Sequence, residues 1–222
     1  MRMARGIFVT GTDTGVGKTV VATAILRALV ASGQRAVGMK PVSAGNERDG
    51  SEHPDVVALL RAGNVSAPLA DRNPFAFAPA IAPHLAAAEA GVAIDLAVIT
   101  AAYARLASRA DVVVVEGAGG VLVPVDATHD MLDIAMRLRL PVLLVVGMRL
   151  GCLNHALLSA AAIRSRGPRL SGWVANCVDP QMRAVDANVE ALSIRLPAPL
   201  VALVPWGVSP TIPPEVLTQP GL

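Results

Sequence analysis

The chain has 222 residues, enough for a sizeable α/β core, and its 19 Lys and Arg against 17 Asp and Glu leave a net charge of +2 that points to neither nucleic acid nor an anionic membrane surface. Hydrophobic residues make up 53% but aromatics only 3%, so the core must be aliphatic. No apolar run reads as membrane-spanning: residues 140–148 are too few, and residues 74–83 and 196–205 are bounded or broken by proline.

Residues 6–10 form a short apolar run that predicts a strand. It leads directly into Gly11-Thr12-Asp13-Thr14-Gly15-Val16-Gly17-Lys18-Thr19, and a helical pattern over 19–32 follows. Strand, glycine-rich turn and Gly-Lys-Thr at a helix start form an arrangement that holds the phosphates of a nucleoside triphosphate. Backbone N–H groups of the turn and the positive end of the helix dipole face one anion. Lys18 would lie along the terminal phosphates, and the Thr19 hydroxyl would ligate the Mg²⁺ that bridges them. The first glycine is Gly11, one position earlier than the usual G-x-x-x-x-G-K-[ST] spacing places it. Because the first apolar run is this strand, no cleavable signal is expected and the protein reads as cytoplasmic.

A second strand is predicted over 36–42, with Lys40 where it becomes a loop. The chain has just two lysines, Lys18 and Lys40, and both fall at expected site positions. A compact ammonium at Lys40 suits the stabilisation of charge on a transferring phosphoryl group. Asp55 follows Pro54 at the start of a helix predicted over 54–62, where helix N-terminal charge explains a carboxylate without any ligand. After a helix over 96–107, a run of valines predicts a strand over 111–115 that ends in Glu116-Gly117-Ala118-Gly119-Gly120. A carboxylate at a strand tip in such proteins holds Mg²⁺, and the glycines let backbone N–H groups approach an anion.

Helices are then predicted over 131–139, 154–165 and 182–194, alternating with strands over 141–147, 170–176 and 200–204. The β-branched runs suit strands buried on both faces. The expected fold is one α/β domain over 1–222, a P-loop NTPase-like wound sheet, mostly parallel, with helices on both faces and an irregular tail over 209–222. Ligands of such sheets bind beyond the carboxyl ends of the strands. Cys152 and Cys177 lack metal-ligand spacing and read as free thiols.

The ordered set of segments resembles the dethiobiotin synthetase family: residues 9–19, Lys40-Pro41-Val42, Pro83-His84, residues 115–120, Leu150-Gly151-Cys152-Leu153-Asn154-His155-Ala156, residues 172–176 and Pro205-Trp206. The one-residue-longer loop belongs to that pattern and accounts for the early Gly11. The resemblance implies an ATP-dependent ligase that closes a ureido ring from CO₂ and 7,8-diaminononanoate, through a carbamate and a carbamic-phosphoric anhydride. It implies that Asp13, Thr14, Gly15, Val16, Gly17, Lys18, Thr19 and Val20 bind ATP, and that Thr19, Asp55 and Glu116 ligate Mg²⁺. Lys40 and Lys18 would be catalytic. Gly117, Ala118 and Gly119 would face the nucleotide, and Asn176, Cys177, Pro205, Trp206 and Gly207 would form the adenine site, although Trp206 is equally readable as core packing. Lys40, Ser43, Ala44, Gly119, Gly120 and Asn154 would contact the substrate, with Asn154 reaching into the partner subunit of a homodimer; its other reading is a helix N-cap. His84 and His155 read as structural.

Three positions depart from the family pattern. Ala44 stands where many members carry a hydroxyl, with Ser43 one earlier, and Gly15 replaces a residue that is acidic in some members. The 182–194 helix lacks the aromatic residue by which some relatives touch the substrate tail. Related P-loop amide-forming ligases and partitioning ATPases carry a signature lysine in the early loop, where this chain has Asp13. A non-catalytic nucleotide-binding regulator would not need Lys40 or the Glu116 segment.

Overall fold

The computed structural model describes residues 5–45 and 52–212. β1 (Arg5–Gly11), β5 (Val112–Gly120), β6 (Val142–Met148), β7 (Leu170–Cys177), β8 (Leu200–Val204) and β2 (Ala36–Met39) form a six-stranded sheet in the order β2-β5-β1-β6-β7-β8. Every neighbouring pair is parallel. Parallel strands demand crossovers, and helices supply them: α1 (Lys18–Ala31) after β1, α5 (Leu96–Ala107) before β5, α6 (Met131–Arg137) before β6, α7 (Cys152–Arg166) before β7 and α8 (Val185–Arg195) before β8. Between β2 and α5 lie β3 (Val42–Ala44), α2 (Pro54–Ala62), α3 (Leu69–Arg72), β4 (Phe75–Phe77) and α4 (Pro83–Glu89), with β3 and β4 pairing as a small parallel sheet.

Alternate strand residues feed two aliphatic layers, as the two-residue period of a strand requires. Ile7, Val9, Val112, Val114, Leu143 and Val145 pack with Val21, Ile25, Leu26 and Leu29 of α1 and Leu59 of α2. Phe8, Val113, Val115, Leu144, Val146 and Trp173 face the other way, against α5, α6 and α7. Helices therefore cover both faces. No helix among the described residues is long and apolar enough to cross a membrane. Cys152 and Cys177 are free thiols.

The single strand expected over 36–42 is instead two strands in different sheets. Pro41 has no N–H to donate to a ladder, and the Lys40 N–H bonds the Arg72 carbonyl at 2.7 Å, so the chain leaves the main sheet at Lys40. The strand expected to stop at residue 115 runs on to Gly120, which pairs with Gly11 across a bulge, so Glu116 lies within β5 and not at its tip. The helix expected over 131–139 stops at Arg137, and Arg139 takes a left-handed φ of 55°. The short elements β4, α3 and α4 carry too few residues for periodicity to reveal. Of the tail expected over 209–222, residues 213–222 lie outside the described residues.

Trp173 is 0% exposed and its indole N–H has no hydrogen-bond partner among the described residues. Its aromatic bulk, not its polar edge, fills the core. Trp173→Ala should cost about 3–5 kcal/mol in denaturant unfolding, whereas Trp173→Phe, which also removes the unpaired donor, should cost less than about 1.5 kcal/mol. Equal losses for the two variants would contradict this assignment.

Candidate active site

The carboxyl ends of β1, β2 and β5 meet around a cleft of about 740 Å³. The loop between β1 and α1 turns on glycines with left-handed φ, Gly15 at 73° and Gly17 at 88°. A Cβ at Gly17 would lie 2.1 Å from Asn176 Nδ2 and would displace that amide. That amide donates to the Val16 carbonyl at 2.8 Å, so the end of β7 braces the loop. Lys18 folds back so that Nζ donates to the Asp13 carbonyl at 2.9 Å. The Asp13 carboxylate accepts the Thr14 N–H at 2.7 Å and forms an ion pair with Arg149, just beyond β6. Three strands therefore shape one glycine-rich turn.

Facing it is a buried ionic cluster. Lys40 Nζ lies 2.6 Å from Glu116 Oε1, 2.8 Å from Asp55 Oδ2 and 3.3 Å from the Gly117 carbonyl. The Thr19 hydroxyl donates to the same Glu116 oxygen at 2.9 Å. Glu116 is 0% exposed, and its Oε2 has no hydrogen-bond partner among the described residues. Burial works against charge on Lys40, but Glu116 and Asp55 outweigh it and hold its pKa above the ordinary lysine value. Burial likewise disfavours charge on Asp55, and the Lys40 ammonium outweighs it, so that carboxyl titrates below the usual range. Lys18 goes the other way: burial and the neighbouring Lys40 charge bring it down to about 8, against the pull of Glu116, Asp55 and Asp13.

Among the described residues no three His, Cys, Asp or Glu side chains cluster as a ready metal cage. Thr19, Asp55 and Glu116 offer instead a hydroxyl and two carboxylates, one with an unpartnered buried oxygen. This all-oxygen set fits a hard divalent cation that takes its remaining ligands from phosphates and water.

Of the residues singled out from sequence, Thr14, Gly15, Gly17, Lys18, Thr19, Val20, Lys40, Ser43, Ala44, Asp55, Glu116, Ala118 and Gly119 line this cleft. Asp55 is two residues into α2 from its cap, His53, and its side chain is turned to Lys40, not spent on the helix end. Asn176 and Cys177 end β7, and Pro205, Trp206 and Gly207 follow the adjacent β8, where Asn176 pairs with Val204. Trp206 is 58% exposed, which excludes core packing. Asn154 lies apart, exposed on α7; the helix cap is Gly151, so Asn154 is not an N-cap. His84 Nδ1 is buried without a partner among the described residues, and His155 is exposed.

Sequence reasoning missed His53, whose ring accepts the Asp55 N–H at 3.1 Å and lies 3.7 Å from Asp55 Oδ2. It also missed the apolar wall of Ile81, Ala82, Pro83 and Val123. The His-Pro-Asp sequence at a helix start was the available signal for His53.

A family model described as an AAA domain matches residues 5–211. The protein named ATP-dependent dethiobiotin synthetase BioD from Nitrosospira multiformis is 52% identical over 206 residues, covering 93% of this chain and 90% of that protein. The protein of the same name from Aromatoleum aromaticum is 49% identical over 225 residues, covering all of both chains. Among solved structures, the septum site-determining protein MinD from Pyrococcus horikoshii aligns with a TM-score of 0.58 at 15% identity, over 91% of this chain and 82% of that one, and shares the fold. The length of the match to its curated relatives, and the loop, lysine and carboxylates it brings together, show that the chain belongs to the ATP-dependent dethiobiotin synthetase family.

Proposed function

We propose that the protein closes a ureido ring, converting 7,8-diaminononanoate, CO₂ and ATP to dethiobiotin, ADP and phosphate in biotin synthesis. The observation that carries the reading is the Lys40 ammonium, buried between Asp55 and Glu116 and facing a phosphate-binding turn across one cleft. A nucleotide-binding regulator has no use for a second buried cation there. Asp13 at the signature-lysine position, ion-paired to Arg149, argues against the partitioning ATPases.

In this reading an amine of the substrate captures CO₂ as a carbamate. The carbamate oxygen attacks the γ-phosphorus of ATP, breaking its bond to the β–γ bridging oxygen and releasing ADP. The neighbouring amine then attacks the carbonyl carbon of the mixed anhydride, expelling phosphate and closing the ring. The N–H groups of Gly15 to Val20 and the Lys18 ammonium hold the phosphates, while Lys40 stabilises charge as it moves from carbamate to phosphoryl oxygens. Lys18, near 8 in the free protein, takes up its full proton complement when a polyanion arrives. Thr19, Asp55 and Glu116 would hold Mg²⁺, which supplies charge neutralisation on the triphosphate. Gly117 to Gly120 would present backbone groups to phosphate and substrate, and the wall of Ile81, Ala82 and Val123 suits an alkyl chain. Asn176, Cys177, Pro205, Trp206 and Gly207 would receive the adenine.

We also read the chain as one domain, because both aliphatic layers share the same six-stranded sheet. It would act in the cytoplasm as a homodimer. Leu150, in the turn before α7, and Leu158 on α7 are 96% and 61% exposed on either side of Asn154 in sequence, apolar surface that a second copy would cover and from which Asn154 would reach the partner's substrate.

Purified protein given ATP, Mg²⁺ and labelled bicarbonate should fix label only when the diamine is present; label fixation independent of the diamine, or none, would overturn the reading. Lys40→Ala should lower kcat by about 10²–10³-fold with the fold intact and the KM for ATP little changed; wild-type turnover would refute the role of Lys40. Chelation should abolish turnover and added Mg²⁺ restore it, whereas Glu116→Gln should remain inactive at the same Mg²⁺ concentration. Chelator-insensitive turnover would contradict the metal assignment.

A further inference from the structure

Lys40 belongs to neither sheet, yet both of its backbone polar groups are held. Its N–H donates to the Arg72 carbonyl at 2.7 Å. Its carbonyl accepts from Asn73 Nδ2 at 2.7 Å. The same amide donates to the Phe75 carbonyl at 3.2 Å, and its Oδ1 accepts the Ser43 hydroxyl at 3.0 Å. Lys40, Ser43 and Asn73 are 4%, 1% and 8% exposed, so these bonds are shielded from water. A side-chain amide can donate to a carbonyl on one side and accept a hydroxyl on the other; a carboxylate of the same size cannot. The block that carries Asn73 is itself anchored: Asp71 accepts from Arg105 Nε of α5 at 2.7 Å, and Arg72 Nε donates to the Ala67 carbonyl at 3.3 Å.

We infer that Asn73 is a positioning residue for Lys40, fixing the peptide from which its side chain departs so that the ammonium meets Asp55 and Glu116 in the cleft. Asn73 does not line the cleft and acts through Lys40, not by touching substrate. Lysine has a flexible four-carbon stem, so the placement of its head depends on a fixed origin. The inference rests on the role of Lys40 proposed above.

The test compares Asn73→Ala and Asn73→Asp with the wild type; the aspartate keeps the size and still accepts from Ser43 but cannot donate to Lys40. Both variants should lower kcat for diamine-dependent phosphate release by about 10–10²-fold, because misplacement of a reacting group by about an ångström has that scale of effect. The KM for ATP should stay within about threefold, since the phosphate-binding turn is untouched. In a Lys40→Ala background the same substitution should lower kcat by less than about twofold further. Unchanged kcat in Asn73→Asp, or a loss carried undiminished into the Lys40→Ala background, would overturn the inference. If Asn73→Ala does not fold, the aspartate variant decides. If the wild type shows no diamine-dependent turnover, it is the proposed function that fails, and a crystal structure of Asn73→Asp then decides separately: an ammonium displaced from Glu116 supports the positioning role, and one left in place refutes it.

Discussion

A lysine ammonium buried 2.6 Å from a carboxylate that is itself 0% exposed is the constraint around which the rest of this molecule is arranged. Removing such charges from water costs several kcal/mol per ion, and their attraction repays it only with good geometry and further hydrogen bonds. Here Glu116 gains Thr19, and Lys40 gains Asp55 and the Gly117 carbonyl. Well-packed aliphatic side chains would serve stability at least as well, so the cluster is best understood through what it does to charge in the cleft. Lys40 lies against both Asp55 and Glu116, while Lys18 stands on the facing turn with its ammonium on the Asp13 carbonyl. The carboxylates lie against Lys40 and keep it protonated, while Lys18, buried and near the Lys40 charge, gives up its proton more readily.

The sheet makes this arrangement possible by bringing distant segments together. β5 places Glu116 between β1, which delivers the glycine-rich turn, and β2, which delivers Lys40. Braces from the other side of the sheet keep the turn in shape: Asn176 from β7 on the Val16 carbonyl, and Arg149 beyond β6 on Asp13. Arg149 also accepts the Cys152 N–H with its carbonyl at 3.0 Å, so one residue joins the glycine-rich turn to the start of α7. A rigid frame of this kind suits catalysis that works by positioning and charge neutralisation.

Much of this was legible in the sequence because its signals are local. The glycines, Lys18 and Thr19 declare the turn within nine residues, the valine run of β5 declares a strand buried on both faces, and Pro54 marks the start of α2 to the residue. Lys40 and Glu116 stood out because lysine is scarce and a carboxylate follows a valine run directly before glycines. What stayed hidden depends on contacts across the fold. The break at Lys40 looks like continued strand until Arg72, far along the chain, takes its N–H. Asn73 sits in an Arg-Asn-Pro stretch with no motif, and its partners Ser43 and Lys40 are 30 and 33 residues away. The continuation of β5 through its glycines needs Gly11 opposite Gly120, a pairing no window of sequence displays.

With two lysines in the chain, selective isotopic labelling of lysine side chains gives an NMR titration with one resonance set for each, assigned with a Lys18→Arg variant. The account predicts that Lys18 titrates near 8 in the ligand-free protein while Lys40 stays charged beyond the ordinary lysine range. A Lys40 that loses its proton at or below the ordinary lysine pKa, or before Lys18 does, would contradict it.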